Sequence, residues 1–337
     1  MDLLQFIRKI PKTETHLHIE GALPWSFLER VCPEKYGSTP FFWDPSFRYN
    51  NFTQFESILI DHALKVFKSP DDYFQVASSI FEKARDQNVQ YLETSFHAGM
   101  MEFLNIPGEE ILSAILAAVP EGLDVRVFLG MSRNAYTEFL APKLDDAVEK
   151  WDRLSGIDLH GPEDLPIESW TPAFWEKAAK RGLTLKAHAG EFGPASNIEY
   201  AISKMGVKRI QHGVAARESN SLMTKLAELE ICLDMCPISN YKLRVVDKWT
   251  DHPLNLFLEK GIMCTISTDD PFSFGNSLED EYLACVEKLN LPPAKLVEIA
   301  KNGFCIANLP VDQKDYFLRQ IDQVWRDFSS NDKGSRI

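Results

Sequence analysis

The chain has 337 residues, 45% hydrophobic and 25% charged, with glycine and proline scattered along it, which excludes a collagen-like or low-complexity chain. Its formal net charge of −13 repels a phosphate backbone, and no basic stripe overcomes that field, so nucleic acid is excluded as a partner. No run approaches the ~20 apolar residues of a membrane span, and the N-terminus lacks the apolar core and cleavage site of a secretory signal, so the expectation is a cytoplasmic protein off the membrane.

The first eleven residues read as a short opening helix. Thr15 to Gly21 is the first candidate strand, and it carries Glu14-Thr-His-Leu-His-Ile-Glu-Gly21. Residues two apart on a strand share a face, so His16 and His18 can converge on one metal ion. The stretch 22–88 is too long for one crossover and holds Phe41-Phe-Trp-Asp-Pro-Ser-Phe-Arg-Tyr-Asn-Asn-Phe52. It is expected to form a helical, aromatic-rich insertion over the mouth of the fold, either walling a flat substrate or packing on the rim.

Seven further strands follow at Val89 to Phe96, Val125 to Ser132, Gly156 to Gly161, Thr184 to Glu191, Arg209 to Val214, Ile231 to Pro237 and Cys264 to Asp270, each rich in β-branched or aliphatic residues. Helical patterns separate most of them, such as Pro172 to Lys180, which stops at Arg181-Gly182. Eight strand-then-helix units imply one parallel (β/α)8 TIM barrel over residues 1–337, with Ser329 to Ile337 as a flexible tail. The six cysteines, at 32, 232, 236, 264, 285 and 305, read mostly as buried thiols; the Cys232 to Cys236 spacing lacks the second pair of a zinc knuckle.

In such a barrel, function collects at the C-terminal strand ends. The first strand ends in His16, His18 and Glu20, the fourth in Asp158, His160 and Gly161, the fifth in His188-Ala-Gly-Glu191, the sixth in His212 and the eighth in Thr268-Asp269-Asp270. A lone strand histidine is more often a core residue than a ligand, but five of eight histidines fall on four such rims. His16, His18, His188 and Asp269 make a nitrogen-and-oxygen set suited to one Zn²⁺ with an open position for water, which suits hydrolysis.

Six segments in this order, Pro11-Lys-Thr-Glu-Thr-His-Leu-His-Ile-Glu-Gly-Ala22, Gly156-Ile-Asp-Leu-His-Gly161, His188-Ala-Gly-Glu191, Arg209-Ile-Gln-His-Gly213, Cys236-Pro-Ile-Ser-Asn240 and Ser267-Thr-Asp-Asp-Pro271, make the chain similar to the adenosine deaminase family of metal-dependent aminohydrolases. The resemblance implies that His16, His18, His188 and Asp269 hold zinc, with His18 also against the substrate. It implies that Glu191 protonates N1 of a 6-aminopurine, His212 orients the attacking water, Asp270 meets N7 and the Gly161 amide meets N3. The implied reaction releases ammonia from adenosine or deoxyadenosine. The alternatives are adenine giving hypoxanthine, or a modified adenine nucleoside or N6-substituted adenine such as aminodeoxyfutalosine; a non-catalytic binding barrel is the remote one.

Glu20 stands where adenosine-specific members carry Asp, and relatives acting on free adenine share the longer side chain. His160 and Pro162 also depart from the adenosine pattern. The expected partner is a small purine, and the chain is expected to be a monomer or homodimer.

Overall fold

In a computed structural model describing residues 1–332, the eight strands are β1 (Lys12–His18), β2 (Val89–His97), β3 (Asp124–Ser132), β4 (Gly156–His160), β5 (Thr184–Ala189), β6 (Arg209–His212), β7 (Cys232–Met235) and β8 (Met263–Ile266). They pair in parallel in sequence order from β1 to β8. Past the end of β8 the cylinder closes on β1: Asp269 N donates to His16 O at 3.0 Å and His18 N to Asp269 O at 3.1 Å. The fold is the (β/α)8 barrel expected from sequence.

β5, β6 and β8 stop short of their expected ends, and the chain turns left-handed there: φ is 70° at Gly190, 64° at His212 and 64° at Asp269. Glu191 and Asp270 therefore sit in turns above the barrel, where their side chains can face a ligand.

The barrel floor is polar. Lys186 Nζ lies 2.5 Å from Glu93, and Arg209 Nη2 lies 3.0 Å from Glu93 and 2.9 Å from Asp234. Burial opposes ionisation of Glu93, but Arg209 and Lys186 outweigh it and hold the carboxyl at about 2. Each acid here is held by a base, so deleting one member of the network would strand its buried partner. This network lies directly beneath the histidines.

Residues 22–88 divide into two parts, unlike the single insertion expected. Helices Trp25–Val31 and Phe52–Val66 project at the mouth, whereas Pro70–Asp86 is the ordinary crossover to β2. Ser69 caps that helix by accepting from Asp72 N, and Tyr73, Val76, Ala77, Ile80, Phe81 and Ala84 form its buried stripe. The aromatic run is mostly packing: Trp43 Nε1 donates to Phe272 O and Tyr49 OH to Ser273 O, which pins the insertion to the turn after β8.

The expected tail is helical in its first part. Helix Val311–Asp332 includes Ser329 and docks on the opening helix, with the Phe6 and Phe328 rings stacked at 4.6 Å; residues 333–337 lie outside the described residues. Among the described residues no helix is long and apolar enough to cross a membrane. Cys232, Cys236, Cys264 and Cys285 are buried, Cys32 is half-buried and Cys305 is exposed.

Candidate active site

β1, β5 and the turn after β8 bring His16, His18, His188 and Asp269 to one point, with ligand atoms all within 4.8 Å of one another. His16 Nε2 lies 3.3 Å from His18 Nε2 and 3.0 Å from His188 Nε2, and the latter two are 3.3 Å apart. Asp269 Oδ1 is 3.3 Å from both His16 Nε2 and His18 Nε2. Bonds of about 2.0–2.1 Å to a tetrahedral ion put its ligands roughly 3.3–3.4 Å apart, so these distances fit a metal.

The outer atoms of the four residues are tied down. Ser95 Oγ lies 3.0 Å from His18 Nδ1, Leu159 O lies 3.0 Å from His188 Nδ1, and Ser239 Oγ donates to Asp269 Oδ2 at 2.7 Å. Cys236 Sγ lies 3.4 Å from His16 Nδ1, so this thiol packs behind the cluster. Such outer contacts fix ring orientation and leave each Nε2 facing the shared centre.

Glu191 and His212 lie on the far side of the cluster. His212 Nε2 is 3.6 Å from Glu191 Oε1 and 3.8 Å from Asp269 Oδ2, while its Nδ1 takes a hydrogen bond from Asn240 Nδ2 at 3.1 Å. That bond leaves the proton on Nε2, facing the site. Burial first, with His16 and His188 adding to it against Asp269, pushes the His212 pKa well down, so the ring is neutral. Glu191 Oε1 is buried and has no partner among the described residues. Burial and the charges of Asp269 and Glu163 push its pKa well above the usual carboxylate range, favouring its protonated form.

Asp270 behaves alike: burial, Asp269 and Glu191 push its pKa up, and its Oδ1 has no partner among the described residues. Gly21 makes room for it, since a Cβ there would lie 1.6 Å from Asp270 Oδ1.

Glu20 is occupied. Tyr73 OH donates to its Oε1 at 2.8 Å and His97 N approaches both oxygens at 3.3 Å; burial raises its pKa to about 7 against these bonds. Above the cluster opens a cavity of about 420 Å³, with His18, Glu20, Gly161, His188, Glu191 and Asp270 on its polar side and Phe52, Phe55 and Leu59 on its apolar side. His18, Glu20, Gly161, His188, Glu191, His212, Asp269 and Asp270 thus line one space, and His16 is buried next to them.

Sequence reasoning gave no role to several others. Glu163 accepts from the amides of Gly190 at 2.6 Å and of Glu191, Phe192 and Gly193 at 2.9 Å each, and from Asn197 Nδ2 at 2.8 Å. It clamps the turn that carries Glu191. Its only sequence signal was its place in Gly161-Pro-Glu163, three residues past a strand histidine. His97 lies one residue past the expected end of the second strand and carries no local signal, whereas the structure ends β2 on it.

The family model described as adenosine deaminase matches residues 11–324. The adenine deaminase of Zymomonas mobilis is 32% identical over 332 residues, covering 96% of this chain and 98% of its own length; that of Cupriavidus necator is 31% identical, covering 96% and 94%. In fold, the chain superposes on the adenine deaminase of Arthrobacter aurescens with a TM-score of 0.83 at 24% identity, over 94% of this chain and 99% of that one. It also superposes on an amidohydrolase from Burkholderia ambifaria with bound Zn at 0.82 and 21% identity, over 98% and 96%. With the convergent histidines and aspartate at the C-terminal rim of a (β/α)8 barrel, the chain belongs to the adenosine deaminase family of metal-dependent aminohydrolases.

Proposed function

We propose that the protein is a zinc-dependent adenine deaminase that converts adenine and water to hypoxanthine and ammonia. The nucleoside reading placed first from sequence gives way to its free-base alternative, since relatives about 30% identical along nearly the whole chain are adenine deaminases. The structural observation that carries the choice is Glu20, already bonded to Tyr73 and to His97 N. Those donors hold the longer carboxylate against the cavity, where it takes up volume that a sugar would need.

Zinc held by His16, His18, His188 and Asp269 would supply Lewis acidity and a water acidified to near neutral pH. The remaining work falls to the chain. Asp270 meets N7 and the Gly161 amide meets N3, holding the ring with C6 over the cluster. Glu191 gives its proton to N1, so that negative charge does not build up on the ring as water adds to C6. Neutral His212, with Nε2–H toward Glu191 and Asp269, orients that water and steadies the developing oxyanion. One proton of the added water returns to Glu191; the C6–N bond then breaks as the amino group takes the remaining hydroxyl proton, releasing ammonia and leaving a 6-oxo ring protonated on N1.

The test is a panel of adenine, adenosine, deoxyadenosine, aminodeoxyfutalosine and an N6-substituted adenine, read by ammonia release. Adenine is expected to exceed adenosine in kcat/KM by at least about 100-fold; the reverse order would return the assignment to the nucleoside. Elemental analysis should find one zinc per chain. Chelation should abolish turnover and added Zn²⁺ restore it.

A further inference from the structure

We propose that His97 and His160 form the wall facing N9 of the purine and decide whether that nitrogen can carry a substituent; the inference rests on the adenine reading above. Strand order fixes the sequence of groups around the rim: Asp270 follows β8, Glu20 follows β1, His97 ends β2, His160 ends β4 just before Gly161, and Glu191 follows β5. Around the edge of a purine the atoms run N7, C8, N9, N3 and N1. With N7 at Asp270, N3 at Gly161 and N1 at Glu191, N9 falls on the arc held by Glu20, His97 and His160.

That arc is a linked unit. His97 Nδ1 lies 2.7 Å from His160 Nε2, with the ring centroids 4.9 Å apart, and the His97 amide and Tyr73 hydroxyl both reach Glu20. Both rings line the cavity. Bare backbone backs them: a Cβ on Gly99 would lie 2.6 Å from His97 Nε2, and one on Gly130 would lie 2.6 Å from His160 Cε1. Neither ring can retreat, and the two nitrogens that face each other are already engaged. A group on N9 would meet two rings backed by glycine, so the wall selects against substituted bases by volume.

The probe is 9-methyladenine, which blocks N9 and adds no polar group. The parent should deaminate it at least 10-fold less efficiently than adenine. His160→Ala and His97→Ala should raise the ratio of kcat/KM for 9-methyladenine to that for adenine by about 10- to 100-fold, whereas His160→Gln, which keeps the bulk, should stay within about 3-fold of the parent. Zinc content is measured alongside, because the His160 ring lies 5.3 Å from that of His18. A ratio unchanged in both alanine variants, or a parent that accepts both bases equally, overturns the proposal.

If the alanine variants lose zinc or fail to fold, the parent decides through competition. Hypoxanthine should bind at least 10-fold tighter than 9-methylhypoxanthine, and equal binding overturns the wall. A parent inactive on adenine would overturn the adenine reading instead, while this competition still tests the wall.

Discussion

Replacing Glu191 by Gln is expected to lower kcat for the purine by about 10²- to 10⁴-fold while zinc stays bound. Gln keeps the volume and leaves the backbone amide free to bond Glu163, so the turn after β5 should survive. What it lacks is a transferable proton. The parent carboxyl is buried, sits beside Asp269 and is pushed well above the usual range, which favours its protonated form. Since the protonated form is the active one, the parent's rate should fall as pH rises through this raised pKa. The Gln variant should lose that alkaline limb and keep only a slow, flatter background. Ammonia release across pH, with zinc content and Tm measured in parallel, checks this. A variant within about 3-fold of the parent with full zinc would sink the acid assignment and point to His212 as the proton source.

The barrel was legible because its strand cores are apolar and β-branched, and the eight segments fell in place to within a few residues. Their ends were not, since His212 and Asp269 adopt positive φ, a conformation that no local signal demands of those residue types. The same left-handed turns lift Glu191 and Asp270 out of the sheet. The four candidate metal ligands were legible through their residue types and their recurrence at strand ends.

The ion network of Glu93, Lys186, Arg209 and Asp234 was invisible for a different reason. A single charge in a strand reads as solvent-facing, and only closure of the cylinder brings four such residues from β2, β5, β6 and β7 together. Residues 70–86 joined the insertion in the sequence reading because nothing local separates a mouth helix from a crossover helix; the separation comes from packing against β2. His97 and His160 became a pair only across two strands.

Glu163 shows how one side chain far from the reacting atoms can control them, and its replacement by Ala is the second large effect expected. Five donors converge on its two oxygens, four of them consecutive amides of residues 190–193. Arg133 backs the carboxylate at 3.6 Å and bonds Glu163 O and Leu165 O. In the alanine variant those amides lose their acceptor in a nearly closed space and Arg133 loses its counter-ion, a loss of about 3–5 kcal/mol by analogy with broken buried pairs. For a domain of this size that lowers Tm by roughly 5–10 °C. The turn then relaxes, and a displacement of about 1 Å at Glu191 suffices to cost on the order of 10²-fold in kcat. KM should change less, because in the proposed pose Asp270 and Gly161 would still hold the ring. Asn197→Ala removes one of the five bonds and leaves the amides paired, so it should cost under about 2 kcal/mol and change kcat only a few-fold. Thermal unfolding and steady-state kinetics on both variants separate the cases: equal, small effects from the two would mean that the turn is held by its own backbone, and that Glu163 merely occupies it.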